Sequence, residues 1–191
     1  MLFALGVSLM NTRQLAPAMD AFVAALETED GERDPKIHLQ LGICYYLARR
    51  PDMLALARSE FEHTLERKPA LPEKIAATYH LALLLDDAGK TADAAAGYRR
   101  VLALDGGHVG ASHNLGQLSM EKLAFAEAIP FFEQALARQP DFPPSQLNLG
   151  ICLLRLGKKT EGESMLRKLA GRLPDGDPIK DQANAVLAGK P

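Results

Sequence analysis

Five histidines and two cysteines are the residues of this chain best suited to chemistry: His38, His63, His80, His108, His113, Cys44 and Cys152. No two of the histidines have the HExxH spacing that puts a pair of imidazoles on one helix face around zinc. His80 and His113 could approach each other from adjacent helical units with Asp86 or Asp87 nearby, but ordinary polar surface histidines fit the same pattern. The cysteines are too few and too distant for a disulfide scaffold, and neither has basic neighbours that would generate a reactive thiolate. Asp30-Gly31-Glu32-Arg33-Asp34 and Asp105-Gly106-Gly107 combine acidic residues with glycine, yet each is too short to surround calcium with enough oxygens. Both read as turns. No nucleophile elbow, phosphate loop or dinucleotide fingerprint is present. The expectation is a chain without catalytic residues, metal or cofactor, and not an enzyme.

The elements carrying these residues are constrained by composition. At 191 residues, 47% hydrophobic and 24% charged, the chain is a folded protein of one domain, residues 1–191. A formal charge of −2 offers nucleic acid no basic face. No segment reaches the roughly 20 apolar residues that span a bilayer. The opening MLFALGVSLMNTR is apolar, but no positive charge precedes it and Arg13 follows it, the wrong order for a secretory signal. It reads as a helix starting at Met1 without a capping residue. A cytoplasmic location is expected; a periplasmic one, or attachment to a longer chain, stays open.

Internal repetition dominates the rest. Small residues Gly6, Gly42, Ala82, Gly116 and Gly150 each follow a leucine, at intervals of 36, 40, 34 and 34. A second set, Ala18, Ala57, Ala94, Ala128 and Gly162, keeps phase with the first. Four residues after each comes Phe22, Phe61, Tyr98, Phe132 or Leu166, and eight further on a helix-ending Asp30, Pro69, Gly106, Pro140 or Pro174. An interior glycine costs a helix about 1 kcal/mol against alanine, so its recurrence implies a close helix–helix approach. Each period therefore reads as two antiparallel helices touching at their small residues, with the large residue filling the next gap. Such pairs must stack to cover their apolar faces, giving an all-α solenoid. Extra residues near Ala48–Met53 should lengthen the second pair's turn or a flanking helix.

This pattern resembles the tetratricopeptide repeat family. The resemblance implies a right-handed α–α superhelix of five repeats, about 1–32, 35–71, 75–108, 109–142 and 143–176, closed by a helix over 177–189. The consensus Trp is absent, replaced by Leu2, His38, Thr78, Ser112 and Gln146, and the consensus Tyr survives only at Tyr45. In this family a stripe on each first helix lines a concave groove. That stripe includes the positions −3, −2, +1, +4 and +5 from the small residue.

The −2 position reads Ala4, Gln40, His80, Asn114, Asn148, Gln182, and similar arrays use amides there to hydrogen-bond an extended peptide. Tyr46, Tyr79, His113 and Gln117 join these as groove residues, and Asp86, Asp87 and Glu121 should make its middle acidic. The same residues also read as a plain solvated stripe. Family members that hold an EEVD-type carboxylate use Lys and Arg; here those positions carry Tyr79, Leu83, Pro144 and Asn148, or His113, Gln117, Pro178 and Gln182. That ligand is not expected. The implied function is a protein–protein scaffold binding a peptide or helix of a partner. Two other readings stand beside it: a regulatory array of a larger enzyme such as a glycosyltransferase or kinase, and self-association through the uncovered first helix.

Overall fold

A computed structural model of the chain describes residues 1–189. Its helices are α1 (Leu2–Asn11), α2 (Leu15–Leu26), α3 (Glu29–Arg33), α4 (Pro35–Ala48), α5 (Pro51–Glu66), α6 (Leu71–Asp87), α7 (Thr91–Leu104), α8 (Val109–Glu121), α9 (Phe125–Arg138), α10 (Pro143–Arg155), α11 (Lys159–Arg172) and α12 (Pro178–Leu187). No strand occurs among the described residues. The fold is all-α, as the repeat pattern requires. The chain forms two compact units, Met1–Leu104 and Asp105–Pro191. The first holds hairpins α1/α2, α4/α5 and α6/α7; the second holds α8/α9 and α10/α11, with α12 against them. Within a unit each second helix also packs on the next first helix: α2 on α4, α5 on α6, α9 on α10 and α11 on α12.

Local sequence explains where these helices stop. Gly89 and Gly157 follow α6 and α10 with φ of +70° and +78°, the left-handed turn that glycine adopts without strain. The equivalent positions of the other hairpins hold Arg13, Arg49 and Leu123 at φ of 61°, 55° and 59°. Each accepts a strain of about 1–2 kcal/mol that glycine would not carry. The extra residues of the second hairpin go into helix. Its connection is just Arg49-Arg50, and α5 runs for 16 residues behind Pro51 at its first position. The segment Asp30–Asp34, expected as a turn, lies mostly within the short helix α3. Thr28 caps it by accepting from the Gly31 amide at 3.0 Å, and a Cβ on Gly31 would overlap the Ala25 carbonyl. Asp177 caps α12 in the same way, accepting from the Ile179 amide at 2.8 Å.

The interior glycines stand where bulk is excluded, though their main partner is not quite the expected one. A Cβ on Gly116 would lie 2.6 Å from Cε1 of Phe132, one on Gly42 2.7 Å from Phe61, one on Gly6 2.5 Å from Phe22 and one on Gly150 2.7 Å from Leu166. The large residue of the second helix thus presses straight onto the glycine of the first. All four large residues are completely buried. Small-on-small contact does occur in α10/α11, where a Cβ on Gly162 would reach the Gly150 carbonyl at 2.9 Å. In α6/α7 the roles are exchanged: Ala82 occupies the first-helix position, and Gly97 makes room for its methyl, 2.7 Å from where a Cβ would stand.

Candidate functional site

The first-helix stripe divides in two when its burial is examined. Part of the −3 row and one +4 residue turn inward, while Phe3, Tyr79, Met10, Asp86, Met120 and Leu154 stay half-buried. Leu39, His113 and Leu147 at −3 are 6%, 8% and 3% exposed, and Tyr46 at +4 is 6% exposed. Positions −2 and +5 stay open: Gln40, His80, Asn114 and Asn148 are half-buried, Gln182 is exposed, and Asn11, Leu47, Asp87, Glu121 and Arg155 are exposed. Position +1 lies between, with Val7, Ile43, Leu83 and Ile151 half-buried and Gln117 exposed. The cause is stacking. The next first helix covers the buried ones, as His80 of α6 meets Tyr46 of α4 and Ser145 of α10 meets His113 of α8.

Two of the expected groove residues are consequently packing residues. Tyr46 lies under the Arg49 guanidinium, 4.3 Å from the ring centroid, and meets His80 edge-on at 5.8 Å. Burial pushes its phenol up to about 12. His113 packs edge-on against Phe142 at 5.3 Å, and its Nδ1 is 2.9 Å from the Ser145 hydroxyl. Burial lowers its imidazole to about 4, so it is neutral at physiological pH. Half-buried Tyr79 tilts against Tyr98 at 5.9 Å. His80 stacks on Phe61 at 5.0 Å and donates from Nδ1 to the Ala76 carbonyl at 2.8 Å, which orients its ring.

The open edge is therefore narrower than the sequence suggests. In the first unit it carries Gln40 and His80, beside Ile43, Leu47 and Leu83; in the second it carries Asn114, Asn148 and Gln182, beside Gln117 and Ile151. The acidic middle is also corrected. Asp87 pairs with Arg49 at 2.6 Å, and Asp86 accepts the Tyr98 hydroxyl at 2.9 Å, so both charges have partners from their own unit. Cys44 and Cys152 are free, fully buried thiols raised to about 11 by burial, which leaves them protonated and inert. A separate apolar hollow of about 440 Å³ lies among α5, α6 and α7, lined by Leu65, Leu81, Leu85 and Leu104, and shares no residue with the open edge.

Two family models for tetratricopeptide repeats match the sequence, one over residues 79–141 and the other over 124–183. The chain belongs to the tetratricopeptide repeat family. Solved structures of similar fold agree over nearly its whole length. The tetratricopeptide protein YrrB superposes with a TM-score of 0.68 at 18% identity, covering 98% of this chain and 90% of its own. A tetratricopeptide repeat protein from Parabacteroides merdae gives 0.74 at 19% identity, covering 99% of this chain and 73% of its own. MamA from Desulfovibrio magneticus gives 0.70 at 16%, covering 88% and 90%. At such identities the likeness establishes the fold, an α–α superhelical repeat. No curated protein matches the sequence significantly.

One tetratricopeptide hairpin holds a grouping that spacing did not reveal. His38, at a consensus Trp position, meets Glu60 and His63, with one ligand-type atom of each within 4.8 Å of the others. The legible signal was Glu60-x-x-His63, three residues apart on one helix face. Its partner on α4 becomes apparent only after the hairpin closes.

Proposed function

We propose that this tetratricopeptide array is a non-catalytic adaptor whose first helices bind an extended or helical segment of another protein. The observation that carries the reading is the row at −2, Gln40 and His80 in one unit and Asn114, Asn148 and Gln182 in the other, kept accessible while their neighbours Leu39, His113 and Leu147 at −3 and Tyr46 at +4 are buried. An amide that both donates and accepts can pair with a peptide backbone whatever its side chains, and half-buried Ile43, Leu83 and Ile151 would supply the apolar contacts that anchor it. Tyr79 is the aromatic residue best placed to join them, with Gln117 in the second unit. Tyr46 and His113 would act from beneath, by holding the helices in register. YrrB, a structural relative, is a TPR protein with an unusual peptide-binding site, which supports a binding role of this kind. The five pairs are proposed to work as one domain over 1–191, in the cytoplasm. No helix among the described residues is long and apolar enough to cross a membrane.

The test is affinity purification with mass spectrometry, comparing the full chain with an Asn114→Ala/Asn148→Ala variant of unchanged thermal stability. Loss of the same partner from the variant is the expected outcome. Equal recovery of every partner would refute the amide-row reading.

A further inference from the structure

We propose that His38, Glu60 and His63 form a binding site for a divalent transition-metal ion of the zinc class, clipping α4 to α5. Three observations converge on it. First, the donor set is right: two imidazoles and a carboxylate, contributed by both helices of one hairpin, suit a borderline ion such as Zn2+. Second, the tautomer of His38 is set for ligation. Its Nε2 donates to the Glu32 carbonyl at 3.0 Å, which orients the ring with Nδ1 facing Glu60. A ligating histidine is commonly held this way, by a bond from its other ring nitrogen to a carbonyl. Third, Nδ1 of His63 is buried without a hydrogen-bond partner, a deficit that coordination at this ring would relieve through reorientation.

The chemistry balances without a further reagent. His38 Nδ1 stands 2.6 Å from Glu60 Oε2, so the two groups already face each other across the hairpin. A divalent ion would enter between them and replace that direct contact, binding the neutral imidazole and the carboxylate. Tetrahedral ligands at about 2.1 Å from zinc are about 3.4 Å apart, so Glu60 must swing out slightly and the remaining ligand atom, within 4.8 Å, must close in. The three residues leave a fourth position for water. Arg67 donates to the Glu32 carbonyl at 2.7 Å and to the His63 carbonyl at 3.1 Å, bracing the backbone from outside the ligand set.

The full chain, stripped with chelator, is titrated with CoCl2 and ZnCl2 in phosphate-free buffer. The expected result is one Co2+ per chain with visible absorption of a low-coordinate N/O site, displaced by Zn2+. Zn2+ should raise the thermal midpoint by several degrees. Replacing His63 by Gln, judged by an unchanged circular dichroism spectrum, should weaken binding at least tenfold, as should Glu60→Gln. His108→Asn, which removes a histidine elsewhere but keeps a helix-capping side chain, should leave binding unaltered. The proposal is overturned by the absence of saturable binding at millimolar Zn2+. It is equally overturned if His63→Gln and Glu60→Gln bind as tightly as the parent, which would leave the trio a hydrogen-bonded pair beside a packed imidazole.

Discussion

The ring of Phe132 fills the space a side chain on Gly116 would need, with Cε1 2.6 Å from the ideal Cβ position. Because real Cβ contacts do not approach so closely, one methyl here forces a fully buried ring or an entire helix to move.

Gly116→Ala should therefore destabilise the protein by about 1–3 kcal/mol, despite the better helix propensity of alanine. Gly171 is the internal control. It lies in α11, exposed, with nothing near a built Cβ, and Gly171→Ala should gain about 0.5–1 kcal/mol. Denaturant unfolding of both variants reads the two signs, and a stabilised Gly116→Ala would overturn the packing account.

The exchanged pair in α6/α7 can be tested by a double-mutant cycle. Gly97→Ala alone drives a methyl against the Ala82 Cβ and should cost about 1–3 kcal/mol. Adding Ala82→Gly should recover a good part of that loss, so the two changes couple favourably. Strictly additive effects would mean that the methyls do not compete for one space.

Leu123 combines a left-handed φ of 59° with 75% exposure, so its side chain gives little packing in return for its strain. Leu123→Gly should raise stability by about 1 kcal/mol, in contrast to the usual cost of a glycine. A fall in the thermal midpoint would count against this.

His113 gives the second unit a pH dependence. Its folded value of about 4 lies below the ordinary 6.5, so between these values the unfolded chain binds the extra proton. Its contribution is complete above about pH 6.5 and is lost as pH falls toward 4, by up to roughly 3 kcal/mol. His113→Gln should flatten the difference in thermal midpoint between pH 7.5 and pH 5. An unchanged slope would show that other groups dominate acid unfolding.

Much of the architecture was legible because a helix hairpin writes its packing into the sequence at fixed intervals. Gly6, Gly42, Gly116 and Gly150 mark the contacts, and residues such as Phe22 and Phe132 mark what they contact. The third hairpin was harder to read, since Gly97 sits outside the recurring positions and declares its purpose only opposite Ala82. The candidate face was half legible. Helical periodicity assigned Asn114 and His113 to one stripe, but neighbouring helices then opened one and buried the other.

Sequence alone determined the helical class, the hairpin period and the residue types available to an open edge, because these depend on interactions between residues close along the chain. Tertiary structure alone decided that Asp87 is neutralised by Arg49, that Tyr46 and His113 are interior, and that His38 meets Glu60 and His63. Each of those contacts joins residues 22 or more apart, or depends on the helix stacked alongside. Their distance is set by how the hairpins close and pack, which periodicity along one helix does not encode.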